Sequence, residues 1–461
     1  LLDNLAEFIS DLSFDNLSAQ TLEKTELHVF DAIGAMLAGA SSEESRAISG
    51  LFKKMIPFDG ERDIPVAGFG FAAPLPHAAV ITSLSARMTE IDDIHLLSCT
   101  TPGSIIVPTA LSAACYAGQS GKRFFESVLA GYEIITRLGA AVNGPVILYR
   151  GIWPTYLFGA IGAAAVGSKI FGLSSDQIKH ALAIALTMSA GLAGKIPAGL
   201  TSRWLTLGCA LQNGLTAALA AESGFAGDPN LLDGPFSSVY GLDLDTGILL
   251  DGLGEKFEIE EMSLKPFCTA RQALSSIEAF RRLLSTRQID PESVEEIKVT
   301  IPQQYSQMIN HPAFPESRMP SIVSVQYQMA LAAFDEEGLF DLQRKNLRDD
   351  HRIRGFIKKV HVTTSPEYTA LFPRQWPGKI TLKAGKNTYE QEILDPLGSP
   401  VHPMNWRDVE QKLKRVTGGI LDPARVENLG TGVRTLKSCQ TLNDFIDRIP
   451  VMQQGGRGVS E

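Results

Sequence analysis

The sequence predicts a mainly α protein: a large all-helical domain formed by both ends of the chain, residues 1–264 and 396–461, with a smaller α+β domain inserted at 265–395. Three observations carry this. Helical spacing of apolar residues runs almost unbroken to about residue 260. β-branched residues then begin to alternate with polar ones, and helical spacing returns after Pro396-Leu397-Gly398-Ser399-Pro400.

The elements follow in order. Leu27, Phe30, Ile33, Met36 and Leu37 define one helix face, with Gly39 placed as its C-terminal stop. Gly159, Ala163 and Gly167 fall four apart in a nearly all-apolar run from Tyr156 to Val166, the pattern of a helix buried on most sides and closely approached by neighbours. Ser174-Ser175-Asp176-Gln177 reads as a capping box opening the helix that carries Ile178, Ala181, Leu182 and Ala185. A helical segment at Ser275 to Leu284 precedes a half-buried strand at Ile297, Val299 and Ile301. Val360 and Val362 suggest a second strand. Ile380 and Leu382 suggest a third, joined through the turn Ala384-Gly385-Lys386-Asn387 to a fourth at Tyr389 to Ile393. Helices are expected from Gln326 to Phe334, near Leu339 to Arg348, from Trp406 to Val416 and from Thr441 to Ile449.

Composition narrows the function. With 461 residues, 44% hydrophobic and 20% charged, the chain is ordinary globular material, long enough for two large domains or three smaller ones. A net charge of -9 with no Lys/Arg block argues against a nucleic-acid surface. No apolar run reaches the ~18 residues of a membrane span. The five cysteines are widely spaced with no CxxC pair, so neither a zinc ribbon nor a dithiol redox site is expected, and reduced intracellular thiols are. The expected compartment is the cytoplasm; because the chain starts at Leu1, a removed mitochondrial targeting peptide is compatible too. The stretch Gly162 to Lys169 mimics a phosphate loop, but the Lys is one place late, no Ser/Thr follows and no strand precedes it. Gly68-Phe69-Gly70 lacks the third glycine of a dinucleotide fingerprint, and neither HExxH nor GxSxG occurs.

Four segments concentrate polar groups in apolar text. The first is Thr89-Glu90-Ile91-Asp92-Asp93-Ile94-His95 with Thr100-Thr101-Pro102-Gly103-Ser104; it is either a functional cluster or a helix-end cluster capping backbone amides. The second is Arg150-Gly151-Ile152-Trp153-Pro154-Thr155-Tyr156, with Pro opening a helix. The third is Thr201-Ser202-Arg203-Trp204, followed by Gly208 and Gln212-Asn213-Gly214. The fourth, Lys265-Pro266-Phe267-Cys268-Thr269-Ala270-Arg271, sits where the helical texture ends, at a domain junction of the kind that favours small-molecule sites.

In order and spacing these segments resemble the MmgE/PrpD family, which includes 2-methylcitrate dehydratase, cis-aconitate decarboxylase and iminodisuccinate epimerase. The resemblance runs through nearly the whole chain: Phe30-Asp31-Ala32-Ile33-Gly34, Glu90-Ile91-Asp92-Asp93, Pro102-Gly103, Pro108, Gly151 to Thr155, Gly208, Asn213-Gly214, Lys265-Pro266-Phe267, Arg271, Pro396-Leu397-Gly398 and His402-Pro403-Met404. It implies that the α+β domain is a lid, that small di- or tricarboxylates are handled in a cleft beneath it without cofactor or metal, and that the protein is a homodimer.

Such chemistry builds enolate-like charge on carboxylate oxygens, which fixed cations stabilise while an acid or base moves the proton. Arg203, Lys265 and Arg271 are the expected cations and Lys195 a weaker fourth, each alternatively an ordinary salt-bridge partner. The family's usual histidines are missing: Thr101, Trp153 and Leu274 stand at three such positions, Arg203 replaces a Lys, and Ile94 replaces a Thr. Trp, Leu and Thr cannot titrate near neutrality, and Arg is a very poor proton carrier. Proton transfer therefore falls to Asp92, Asp93, His95, Lys265 or Tyr327, with Thr101, Trp153, Arg203 and Arg271 binding substrate; His95 can equally be structural. Trp153 makes the pocket more apolar, suiting a substrate with an alkyl chain or ring. The expected activity is a dehydratase or decarboxylase on a small carboxylate, with an isomerase, epimerase or cyclase as the alternative and a non-catalytic binding relative as a third.

Overall fold

The structure, a computed structural model, describes residues 1–57, 60–192, 202–344 and 347–452. The fold is mainly α. The described residues divide into two compact units: one holds those of 1–195, 201–262 and 409–452, and the other those of Ser263–Asp408.

The first unit opens with α1 (Leu2–Asp11), α2 (Ala19–Ala40), α3 (Glu43–Met55), α4 (Leu75–Met88), α5 (Gly103–Tyr116) and α6 (Gly121–Ala141). It continues with α7 (Gly144–Tyr149), α8 (Pro154–Phe171), α9 (Ser175–Thr187), α10 (Ser202–Glu222), α11 (Pro235–Tyr240) and α12 (Thr246–Leu250). Helix α8 is the axis of this unit: every residue from Pro154 to Ile170 is buried, and α6 and α10 pack along it. The small-residue stripe explains how. A Cβ on Gly167 would lie 2.8 Å from Ala218 Cβ, one on Gly159 would lie 3.4 Å from Ala210 Cβ, and one on Gly214 would lie 2.5 Å from Ala163 Cβ. The stripe of α8 therefore meets its counterpart on α10 one turn at a time, at a separation that larger side chains would prevent. Among the described residues no helix is long and apolar enough to cross a membrane.

The capping box before α9 is present in both directions, Ser174 to the Gln177 amide and Gln177 back to the Ser174 amide. Helix α2 runs one residue past the expected stop: Gly39 lies inside its last turn because α4 crosses there, with Ser85 O pressed against the Gly39 backbone.

The second unit contains α13 (Leu274–Arg287), β1 (Val294–Ile301), α14 (Ser306–Ile309), α15 (Arg318–Val323), α16 (Val325–Phe334), α17 (His351–Ile357), β2 (Val360–Thr364), α18 (Pro366–Leu371), β3 (Gly378–Ala384) and β4 (Asn387–Ile393). The sheet order is β2-β1-β3-β4, with β1 and β2 parallel and the other pairs antiparallel. Ile297 and Val299 face Leu382 and Ile380 across the β1–β3 pair and are buried, whereas Lys298 on the other face is exposed, the alternation the sequence shows. The β3–β4 hairpin closes at Ala384↔Asn387 around Gly385, whose φ of 57° suits glycine.

Two expected helices are corrected. The described residues near Leu339 to Arg348 are not a helix: the Asp341 carboxylate accepts from the amides of Gln343 and Arg344, and Arg344 takes a left-handed φ of 41°. Thr441 to Ile449 shortens to α21 (Asn443–Ile446), which follows α19 (Trp406–Val416) and α20 (Pro423–Thr435), a helix the sequence reading passed over. Its start is nevertheless written in the sequence, as an Asp422 cap followed by Pro423 at the first helical position.

Candidate active site

In the first unit the end of α4 and the start of α5 enclose the acidic segment. Arg87, in the last turn of α4, donates from Nη1 to Glu90 Oε2 at 3.0 Å and to Asp92 Oδ1 at 3.1 Å. Arg203, in the first turn of α10, reaches Glu90 Oε1 from Nη2 at 2.7 Å. The Glu90 carboxylate thus bridges two guanidinium groups, and Glu90 holds a left-handed φ of 59° to do so. All four side chains are buried. Burial works against the Arg87 charge, but Asp92 and Glu90 outweigh it and raise its pKa.

Beside it stands Tyr156, one turn into α8. Its phenol is fully buried, and its pKa is raised by burial even though Arg87 and Arg203 pull it down. The hydroxyl meets no hydrogen-bond partner among the described residues. Trp153 stacks on the Tyr156 ring, centroids 5.5 Å apart and planes at 18°. Thr101 is tied to the same helix start: its amide donates to Thr155 Oγ1 at 2.9 Å, and the two hydroxyls lie 3.2 Å apart. Asp92, Thr101, Trp153 and Arg203 are therefore brought together around the N-terminus of α8. Sequence reasoning missed Arg87 and Tyr156. Arg87 lies just outside the acidic segment, and Tyr156 reads as the first residue of the apolar run of α8.

Asp93 faces a different way. Its Oδ1 accepts from the Gly103 amide at 2.8 Å, capping α5, while Oδ2 accepts from Tyr132 Oη at 2.7 Å and lies 3.0 Å from His28 Nδ1. A Cβ on Gly103 would come within 2.8 Å of that carboxylate, which is why Pro102 is followed by glycine. Next to this group Lys412, on α19, pairs with Asp31 at 2.7 Å and donates to Ile91 O at 2.9 Å. Both ring nitrogens of His95 are occupied, Nδ1 by Ser98 Oγ at 3.0 Å and Nε2 by Glu258 Oε2 at 3.1 Å. Asp93 thus caps the start of α5, the alternative weighed on sequence for this segment, while the His95 ring is held by the side chains of Ser98 and Glu258.

In the second unit Lys265 is buried at the start of the segment. Arg271 is also buried, faces the Trp376 ring at 5.8 Å, and has Nε and Nη1 without hydrogen-bond partners among the described residues. Burial lowers its pKa to about 10, with Tyr305, Asp395 and Glu278 opposing. The Tyr327 hydroxyl accepts from the Arg348 amide at 2.9 Å, and burial raises its pKa. Lys195 lies outside the described residues. Among those described, no group of three or more His, Cys, Asp or Glu side chains is placed to hold a metal.

The profile of the MmgE/PrpD N-terminal domain matches residues 3–242 and that of the C-terminal domain matches residues 267–437. The chain belongs to the MmgE/PrpD family. It is 22% identical to a cis-aconitate decarboxylase-like protein of Aspergillus oryzae, over 96% of this chain and 95% of that one. It is 22% identical to a cis-aconitate decarboxylase of Aspergillus terreus (96% and 94%) and 24% identical to the human cis-aconitate decarboxylase (96% and 92%).

Proposed function

We propose that this protein is a cofactor-independent lyase, a dehydratase or decarboxylase, acting on a small carboxylate-bearing substrate. The observation that carries the reading is the buried set of Arg87, Arg203 and the protonated Tyr156. These groups sit where fixed cations and a neutral donor can receive the charge that develops on a substrate carboxylate. The names of the relatives support the reaction class. Lys265 and Arg271 are proposed as further carboxylate-binding cations.

In a dehydration, a base takes the proton next to the carboxylate, the electron pair forms the double bond, and the neighbouring hydroxyl leaves as water once protonated. In a decarboxylation, the carbon–carbon bond to the departing CO2 breaks, its electron pair delocalises toward a remaining carboxylate, and an acid returns one proton to carbon. The arginines are suited to holding charge rather than moving protons. Asp92 and Lys265 are proposed as the proton carriers, with Tyr156 and Tyr327 as donors, the Tyr327 hydroxyl accepting from the Arg348 amide and keeping its own proton to give; Asp93 and His95 act through position, since their polar atoms are taken up by protein partners.

The pairing of Arg87 and Arg203 with Glu90 and Asp92 favours a second reading: proton exchange on a less charged substrate by an isomerase, epimerase or cyclase. Proton NMR with citrate, 2-methylcitrate, longer 2-alkylcitrates and cis-aconitate in deuterated buffer separates the two. New vinyl signals above a Lys265→Ala control support the lyase. Deuterium exchange alone supports the isomerase, and silence with all of them refutes both on these substrates.

A further inference from the structure

We infer that the α+β unit holds a carboxylate site of its own, built on Arg271 against the ring of Trp376, and that a carboxylate seated there stabilises the fold. This rests on the reading of Arg271 as a carboxylate-binding cation and deepens it, since every residue of the site lies within Ser263–Asp408 and filling the site is coupled to stability. What carries it is a guanidinium left over after the acceptors around it are used. Arg271 is 3% exposed, and its Nε and Nη1 are enclosed without a hydrogen-bond partner among the described residues. The carboxylates whose charge acts on it, Asp395 and Glu278, are committed elsewhere. Asp395 Oδ2 accepts from Gln375 Nε2 at 2.6 Å. Glu278 gives one oxygen to the Leu397 amide at 2.7 Å and the other to Arg282.

The segment that carries Trp376 brings carbonyls, and these have donors too. Pro373 O accepts from Trp376 Nε1 at 2.9 Å, Trp376 O from Ser275 Oγ at 2.5 Å and Pro377 O from Tyr305 Oη at 3.0 Å. The same bonds fix this segment against α13, so the wall of the site is formed in advance. What faces the guanidinium is the Trp376 ring, 5.8 Å away, with Tyr305 stacked on that ring at 5.7 Å and 28°. A buried cation with unmade hydrogen bonds is costly, and an anion that takes up its N–H groups removes the cost. One carboxylate suits the site. Its single charge matches one fixed cation, and its two oxygens accept from a guanidinium in pairs. Inorganic phosphate brings more charge near neutrality than Arg271 offsets, and in an enclosed aromatic setting the excess is penalised.

The test is thermal unfolding and calorimetric titration of the full chain with malonate, cis-aconitate and inorganic phosphate at constant ionic strength. In carboxylate-free buffer Arg271→Met, which keeps the stem and removes the unmatched charge, is expected to unfold at the parent's temperature or above it. Malonate and cis-aconitate raise the parent's midpoint and phosphate does so less. Arg271→Met loses that rise and binds malonate more weakly by about tenfold or more. Arg271→Lys keeps the charge without the paired donors, guards against loss of fold, and retains part of the rise. A rise that persists in Arg271→Met, or an Arg271→Met destabilised equally with and without malonate, overturns the inference. An Arg271-dependent rise as large with phosphate overturns the choice of carboxylate, and one with cis-aconitate alone overturns a site for the carboxylate group as such. Proton NMR of the same samples in deuterated buffer keeps the reaction separate. Turnover of cis-aconitate without an Arg271-dependent shift removes the site and leaves the lyase. An Arg271-dependent shift without turnover or exchange supports the site and removes the lyase on this substrate.

Discussion

Tyr156 carries a hydroxyl inside a packed helix with no hydrogen-bond partner among the described residues, an arrangement that costs stability. Tyr156→Phe removes the uncompensated group and keeps the ring under Trp153. Thermal unfolding is expected to show a variant as stable as the parent or more so, by about 1 kcal/mol, while kcat/KM falls at least tenfold. A variant that loses stability and keeps its activity would show that the hydroxyl serves packing alone. Asp93 behaves in the opposite way. Its carboxylate takes donors from Gly103, Tyr132 and His28, so Asp93→Asn puts an amide NH2 against donors and is expected to cost about 3 kcal/mol in urea unfolding. Lost activity in Asp93→Asn therefore includes lost structure at the α5 start. From sequence the two carboxylates looked equivalent, because one-dimensional spacing places Asp92 and Asp93 side by side. Burial and partner geometry separate them, Asp92 toward Arg87 and Asp93 toward the helix N-terminus. Arg203 was easier to read, since an Arg in apolar text must find an anion, here Glu90. What charge-bearing residue types could not show was Tyr156, whose interest lies in a partner it lacks.

Helix elements were legible wherever local chemistry writes their ends. The capping box at Ser174, the alternation in β1 and the Gly385 turn each act within a few residues, so the sequence alone carries them. Elements that depend on distant partners were not legible in this way. Lys169 reads as the end of an imperfect phosphate loop, but its amine donates to Ile9 O at 2.8 Å, Ser10 O at 3.0 Å and Leu12 O at 2.5 Å. It closes the C-terminus of α1, a helix about 160 positions earlier, where orphan carbonyls and the helix dipole favour a cation. Lys169→Met keeps the stem and removes the donors. It is expected to lose about 3 kcal/mol of stability with no direct effect on substrate binding, measured by denaturant unfolding beside citrate titration. An unchanged unfolding midpoint would show that the cap contributes nothing. The α8–α10 contact makes a sharper demand, because Gly214 lies against backbone and Ala163 rather than against a flexible side chain. Gly214→Ala is expected to cost 1–3 kcal/mol, despite the higher helix propensity of alanine; equal or greater stability would mean that α10 moves away freely.

Across the first unit as a whole, the stretch from α12 to Glu258 is fastened to α6 by the buried side chains of Arg137 and Glu133. Arg137 donates to Glu133 at 2.8 Å and to the carbonyls of Asp251 and Lys256, each at 2.8 Å, while Glu133 accepts from the Glu258 amide at 2.5 Å. Glu258 in turn meets His95, so the fastening reaches the acidic segment. Burial lifts the Glu133 pKa from 4.5 to about 7; Arg137 pulls the other way and Glu258 adds to the rise. The folded protein therefore holds this proton across a range where the unfolded chain has released it. On this group alone stability is fully present below pH 4.5, falls as the pH rises through the window to about 7, and is level above it. Glu133→Gln, neutral at every pH, mimics the protonated state. Its stability relative to the parent is expected to improve steadily from pH 5 to pH 7 and to change little by pH 8, read from urea unfolding at each pH. A difference that stays constant, or that moves in the parent's favour as the pH rises, would mean that Arg137 holds Glu133 ionised throughout, and that this buried fastening is an ion pair at every pH where the protein is folded.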